Sequence, residues 1–219
     1  MDLARPPAGL TLVACYQKDS GPEALTLTTS SILVLPVRQY YVQTDSQLPG
    51  QGLRMCFSST CAMAVKYLRP TALLGSNADD TYLNTVRRYG DTTSAQAQIA
   101  ACADYGILAR FDTSGTRALL EQELQLGYPV ATGFLHHGPA SAPRGGGHWI
   151  LAVGYRPGAG IFNDPYGELD NRQGGYERVG SGGHFVAYSW RNWLPRWEVE
   201  GAGTGWVMTF RRAEPPAVA

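Results

Sequence analysis

Met55-Cys56-Phe57-Ser58-Ser59-Thr60-Cys61-Ala62-Met63-Ala64-Val65-Lys66-Tyr67-Leu68 is the stretch on which the reading of this chain turns. A loop holding Gly50, Gln51 and Gly52 leads into it, and Ala62, Val65, Tyr67 and Leu68 recur at helical spacing up to Pro70. The pattern predicts a helix, and Ser58, Ser59 and Thr60 suit its cap and first turn, so Cys56 falls at or just before the N-terminus. Unpaired N–H groups and the positive end of the helix dipole favour thiolate over thiol there, and the thiolate is the nucleophile. Alone, such a cysteine reads as a small buried residue.

The second half of the chain changes its meaning. Gly145-Gly146-Gly147-His148-Trp149-Ile150-Leu151-Ala152-Val153-Gly154-Tyr155 reads as a glycine loop opening into a buried strand whose first residue is His148. Gly160-Ile161-Phe162-Asn163-Asp164-Pro165-Tyr166-Gly167 reads as a short paired strand ending in an aspartate. A tight connection at Pro157-Gly158 makes the two strands antiparallel neighbours and sets His148 beside Asp164. A cysteine at a helix start facing a strand-borne His–Asp pair is the geometry of thiol acyl transfer.

These residues carry a family resemblance. The order Cys, His, Asp, the Gly147-His148-Trp149 strand ending in Gly154-Tyr155, and Asn163-Asp164-Pro165-Tyr166-Gly167 resemble the C39-like branch of the papain-like cysteine peptidases. Cys56 precedes Met63 by seven residues, the offset in that family's Cys-Gly-Pro-x-Ser-x-Ala-Met signature, and sixteen residues separate His148 from Asp164. The chain is also similar to C39-like proteins encoded by tailed bacteriophages. The resemblance runs from Gln39 to Phe210. Phe57-Ser58 stands in place of Gly-Pro and Cys61 in place of Leu, departures that bear on specificity more than on the nucleophile. It implies an α+β papain-like fold, a helical half packed on an antiparallel sheet, with Cys56 as nucleophile, His148 as acid and base and Asp164 as its orienter. It also implies an oxyanion-binding glutamine. Gln43, in Gln43-Thr44-Asp45, fits the family pattern better than Gln51 or Gln47. No cofactor is implied.

Composition bounds the rest. The 219 residues suit one domain with a sizeable core. Eighteen basic residues balance eighteen acidic ones, which leaves no electrostatic footprint for nucleic acid. With 26 glycines and 16% charged residues the chain reads as loop-rich α+β. Cysteines 15, 56, 61 and 102 form no CxxC pair and read as reduced thiols. Met1 to Pro7 contains no apolar h-region and no run is long enough to span a bilayer. A soluble protein without signal peptide or membrane insertion is expected, in the cytoplasm of the producing cell or in a phage particle.

Residues 1–38 read as a β-rich N-terminal extension, with strand-like runs at Leu10–Tyr16, Leu25–Leu27 and Ile32–Val37. It either caps the core or, through residues 9–37, docks other virion proteins. Residues 39–212 are expected to form the peptidase domain and 213–219 a disordered tail. Helices are predicted over Asp79–Tyr89, from Thr92 or Thr93 to Ala103, and over Thr113–Leu126. A buried strand over Tyr128–Leu135 ends in His136-His137. Adjacent histidines on a strand point to opposite faces and the cysteines lack ligand spacing, so no metal site is expected. Phe57, His137 and Trp149 are the candidate substrate-binding residues, and the loop 138–147 borders the cleft. His184 to Trp190 alternates as a strand and Trp206–Phe210 reads as the last one. The function expected is hydrolysis of an amide bond in a peptide or a peptidoglycan cross-link. The alternatives are a non-catalytic structural or adaptor protein of a phage particle, and an acyltransferase using the same triad.

Overall fold

The computed structural model describes residues 32–213. Among them, seven strands form one antiparallel sheet, and five α-helices pack around it. The strands are β1 (Leu33–Val34), β2 (Ile107–Gly115), β3 (Val130–His137), β4 (Arg144–Arg156), β5 (Ala159–Asn163), β8 (Val186–Ser189) and β9 (Gly205–Arg212). Their order is β2-β9-β3-β4-β5-β8, with β1 joining β4 where β3 leaves it. A separate ribbon pairs β6 (Gly167–Leu169) with β7 (Tyr176–Val179). The helices are α1 (Cys56–Leu68), α2 (Ala78–Val86), α3 (Ala95–Asp104), α4 (Arg117–Gln125) and α5 (Trp190–Trp197).

β4 is the spine. From His148 to Tyr155 every residue is buried, as befits a central strand covered on both faces. It turns at Pro157-Gly158 into β5, with Arg156 opposite Ala159 and Leu151 opposite Asn163. Gly154 marks a bulge where β1 crosses: a Cβ there would lie 2.4 Å from the Leu33 carbonyl oxygen, so only glycine fits. α1 lies on β4 and β3 and is flanked by α2 and α3. Its polar first turns are buried and tie these elements together. Ser58 Oγ is 2.8 Å from Thr92 Oγ1 and accepts from Gln98 Nε2, Ser59 donates to Asp79, and Thr60 donates to the Trp149 carbonyl at 2.9 Å.

The structure corrects several sequence expectations. Ser58, Ser59 and Thr60 do not cap α1; its N-cap is Met55, without a side-chain bond, and Cys56 is the first helical residue. Ser94, not Thr92 or Thr93, caps α3 by accepting from the Ala97 N–H. Residues 113–115 belong to β2, and α4 begins after Thr116, whose hydroxyl accepts from Leu119. β4 starts at Arg144, so the glycines are strand and His148 is its fifth residue. Trp190 opens a helix instead of closing a strand, because Trp190, Trp193 and Trp197 share one buried helical face.

The predicted runs at 10–16 and 25–27, and the tail from 214, lie outside the described residues, as does most of the segment 9–37 for which docking was one expectation. Within it, residues 33–34 extend the main sheet, Leu35 N–H donates to Val153 O at 2.8 Å, and Leu35 and Val37 join the core. Among the described residues no helix is long and apolar enough to cross a membrane.

Candidate active site

Cys56 occupies the first position of α1, where the N–H groups of the opening turn have no intrahelical acceptor. Opposite it, β4 carries His148, which is 4% exposed. The β4–β5 hairpin returns the chain so that Asp164, the residue after β5, meets the imidazole: His148 Nε2 lies 2.8 Å from Asp164 Oδ1. An ionised carboxylate only accepts, so Nε2 carries a proton and Nδ1 is left for Cys56.

The electrostatics follow from this arrangement. Burial pushes the Cys56 thiol up, but the charge of His148 and its hydrogen bond, with the backbone N–H groups of Trp149 and Phe57, outweigh it and hold the thiol below its ordinary range. Burial pulls the His148 imidazolium down; the charge of Asp164, then that of Cys56, and hydrogen bonds to both outweigh it and raise the group to about 10. Both shifts favour a thiolate–imidazolium pair.

Gln43 begins a 3-10 turn (Gln43–Asp45) and is 1% exposed. Its N–H donates to Pro165 O at 2.9 Å, next to Asp164. Its side-chain Nε2 donates to Gly52 O at 2.9 Å, which uses one of its two N–H groups, and its Oε1 has no partner among the described residues. Gln43 and Cys56 line the same cleft; Gln47 and Gln51 do not.

That cleft has a volume of about 970 Å³ and also takes in His148, Phe57, Trp149 and His137, so every predicted site residue except Asp164 lines it. Asp164 is wholly buried behind His148. Phe57 stacks flat on Trp149, ring centroids 3.8 Å apart, and Gly133 makes room: a Cβ there would stand 2.9 Å from the indole. An aromatic series continues from Trp149 through Phe111 to Trp206, which is 49% exposed at the cleft wall beside Val199.

His136 and His137 do not separate to opposite faces. A register shift between Leu135 and His137 turns both rings to the cleft with centroids 4.0 Å apart. His136 is 5.6 Å from His148 by ring centroid; burial first, then the His148 charge, lower it to about 4 and keep it neutral. Among the described residues no three His, Cys, Asp or Glu side chains are grouped so as to hold a metal ion.

Sequence reasoning missed the tyrosines around Asp164. Tyr176 and Tyr188 donate to its Oδ2 at 3.2 and 3.0 Å, and Tyr40 donates to its carbonyl at 2.7 Å. Tyr188 was findable, since a tyrosine on the inward phase of a strand must bring its hydroxyl to a partner. Tyr176 lies in a turn-rich run with no periodicity, and nothing local marks it.

No family model matches the chain, and no curated protein matches its sequence. Similar solved structures exist. A structure described as a C39-like peptidase from Bacillus anthracis superposes with a TM-score of 0.51 at 13% identity, covering 83% of this chain and 99% of that one. The peptidase domain of Streptococcus ComA, a bifunctional ABC transporter of a quorum-sensing pathway, gives 0.45 at 14% identity, with 73% and 93% covered. A double-glycine-motif protease from an AMS/PCAT transporter, solved with its leader peptide, gives 0.39 at 15% identity over 72% and 84%. The mixed helix–sheet architecture of this chain is therefore that of the C39-like peptidases.

Proposed function

We propose that the protein is a thiol peptidase or amidase in which Cys56, His148, Asp164 and Gln43 carry the reaction. The observation that supports this most directly is Cys56 at the start of α1 beside an imidazole whose far nitrogen is 2.8 Å from a buried carboxylate. The likeness of the fold to a C39-like peptidase points the same way.

In this reading His148 keeps Cys56 as thiolate, and the sulfur attacks the carbonyl carbon of the substrate amide. The electron pair of the C=O bond moves to oxygen, and the resulting oxyanion is held by the Cys56 N–H and the free N–H of Gln43 Nε2. The C–N bond then breaks as the His148 imidazolium gives its proton to the departing amine, which leaves a thioester on Cys56. His148, now neutral, takes a proton from water as it attacks; the thiolate leaves and the carboxylic acid is released. Asp164 orients the ring and stabilises its charged form throughout. Phe57, Trp149 and His137 border the substrate.

The test is Cys56 alkylation by iodoacetamide against pH, read by peptide mass spectrometry. Fast labelling well below pH 8, lost in His148→Ala, is the expected result. Cys56→Ala is expected to lower amide hydrolysis by roughly three orders of magnitude or more with the fold intact. A thiol that labels slowly until its ordinary range would instead leave the structural, non-catalytic protein as the reading.

The proposed substrate is a peptide, with peptidoglycan cross-links and virion association resting on the phage-like resemblance. Release of free amines from purified cell walls, set against release from a denatured protein, separates the two peptide classes. An added amine joined to the acyl group would mark a transferase.

A further inference from the structure

Asp164 is held unusually fully for a residue that acts only through its neighbour. Oδ1 accepts from His148 Nε2 at 2.8 Å and from the Tyr166 N–H at 3.1 Å. Oδ2 accepts from two tyrosine hydroxyls, Tyr188 at 3.0 Å and Tyr176 at 3.2 Å. The directions of these bonds are fixed. The Tyr188 hydroxyl already accepts from the Leu169 N–H at 3.0 Å, so its own proton points to Asp164, and a carboxylate can only receive the Tyr176 proton. Burial first, and then the Asp164 charge, push both phenols well above their ordinary range, so both remain donors.

The two hydroxyls come from different places. Tyr188 is a core residue of the edge strand β8. Tyr176 opens β7 in the ribbon β6–β7, lines the cleft, and packs edge-on to His148 with centroids 5.7 Å apart.

We infer that Tyr176 and Tyr188 are positioning residues: together they fix the Asp164 carboxylate with Oδ1 on His148 and share its negative charge, and Tyr176 links that setting to the β6–β7 ribbon bordering the substrate cleft. The inference rests on the thiol-peptidase reading of the site. Its consequence has a definite sign. Hydroxyl protons aimed at Oδ2 offset part of the carboxylate charge that His148 feels. Without them the imidazolium is held more tightly, and it becomes a poorer acid toward the leaving amine.

The other groups facing the pair stay constant in the comparison. They are Cys56 on α1, His136 on β3 with His137 beside it, Tyr166 against the imidazole, and Tyr40 at the Asp164 backbone. Glu168 on β6 also acts on Tyr188.

The experiment compares wild type, Tyr176→Phe, Tyr188→Phe and the double variant, full chain in each case. Two readouts follow the same proton: ring 15N titration of His148, assigned by its loss in His148→Gln, and the alkaline limb of Cys56 alkylation by iodoacetamide. Each hydroxyl removed is expected to move both upward by about half to one pH unit. Melting temperature is followed in parallel. Variants that melt lower while His148 titrates as in the wild type would make the hydroxyls purely structural and overturn the inference, as would a downward shift. Tyr176 lies at the cleft surface, so its variant guards against a Tyr188→Phe that fails to fold. If wild-type Cys56 shows no low-pH thiolate, the peptidase reading falls, while the 15N titration still decides whether the tyrosines set His148.

Discussion

Asp79 shows how one side chain in the support of α1 carries a cost that can be measured. It is buried in the first turn of α2 and receives the Ser59 hydroxyl at 2.6 Å from α1. Burial raises its carboxyl to about 6; the Ser59 bond opposes this, and the nearby Asp80 and Asp45 add to it. A carboxyl that binds its proton more readily folded than unfolded loses stability as pH rises from the unfolded value through about 6. Asp79→Asn keeps an acceptor for Ser59 without the charge. We expect it to stabilise the protein at pH 7.5 by about 1–2 kcal/mol and to be neutral below pH 4, in denaturant melts at both pH values. An Asn variant less stable at pH 7.5 would mean that the charge is used. At the same scale, Cys56, His148 and Asp164 were legible because each sits in a short run with a clear pattern, and hairpin geometry joins the last two. The Asp164 tyrosines were not, because Tyr40, Tyr176 and Tyr188 reach it from 124, 12 and 24 residues away.

Among the elements, α5 departs furthest from its sequence reading and does unexpected work. Its aromatic run suggests strand alternation, yet 190, 193 and 197 is a helical spacing, and Pro195 inside the helix hides it. The bulge between β3 and β4 was equally hidden: alternation predicts opposite faces for His136 and His137, but the register shifts there, with one extra residue on the β4 side, and both rings face the cleft. α5 and that bulge are connected. Arg196 on α5 is fully buried and donates to the carbonyls of Asn171 at 3.1 Å, Leu135 and His137 at 3.4 Å, and Gly138 at 2.8 Å. A guanidinium can fan donors to four carbonyls; an ammonium cannot. Arg196→Met leaves those oxygens buried without partners and is expected to cost about 3–5 kcal/mol, with Arg196→Lys recovering little of it. Urea midpoints at unchanged slope measure this. A loss below about 1 kcal/mol would show that water replaces the guanidinium at no cost.

For the whole molecule, the coupling of the site to stability gives a curve against pH. His148, raised to about 10, contributes stability that is full below its unfolded value of 6.5 and fades as pH climbs to about 10. Cys56, lowered by the same partner, contributes stability that is full above its unfolded value of 9.0 and fades as pH falls through its folded value. At pH values above both 6.5 and the lowered value of the folded thiol, and below 9.0, the two slopes oppose each other, because there the folded pair and the separated neutral groups hold the same number of protons. Above that window the unfolded cysteine loses a proton; below it the folded thiol and the unfolded histidine take protons up. The stability that the pair contributes should therefore be flat in the alkaline part of this range, up to about pH 9, and fall above it. The difference in unfolding free energy between wild type and a Cys56→Ser, His148→Gln double variant isolates this contribution. His136, lowered to about 4, weakens both proteins as pH drops from 6.5, so it largely cancels. A difference that keeps sloping all the way up to pH 9 would mean that only one of the two groups is perturbed, and that thiol and imidazole do not share a proton. The sequence could place the two residues on a helix and a strand. Their pairing depends on α1 lying against β4, a long-range contact that only packing sets.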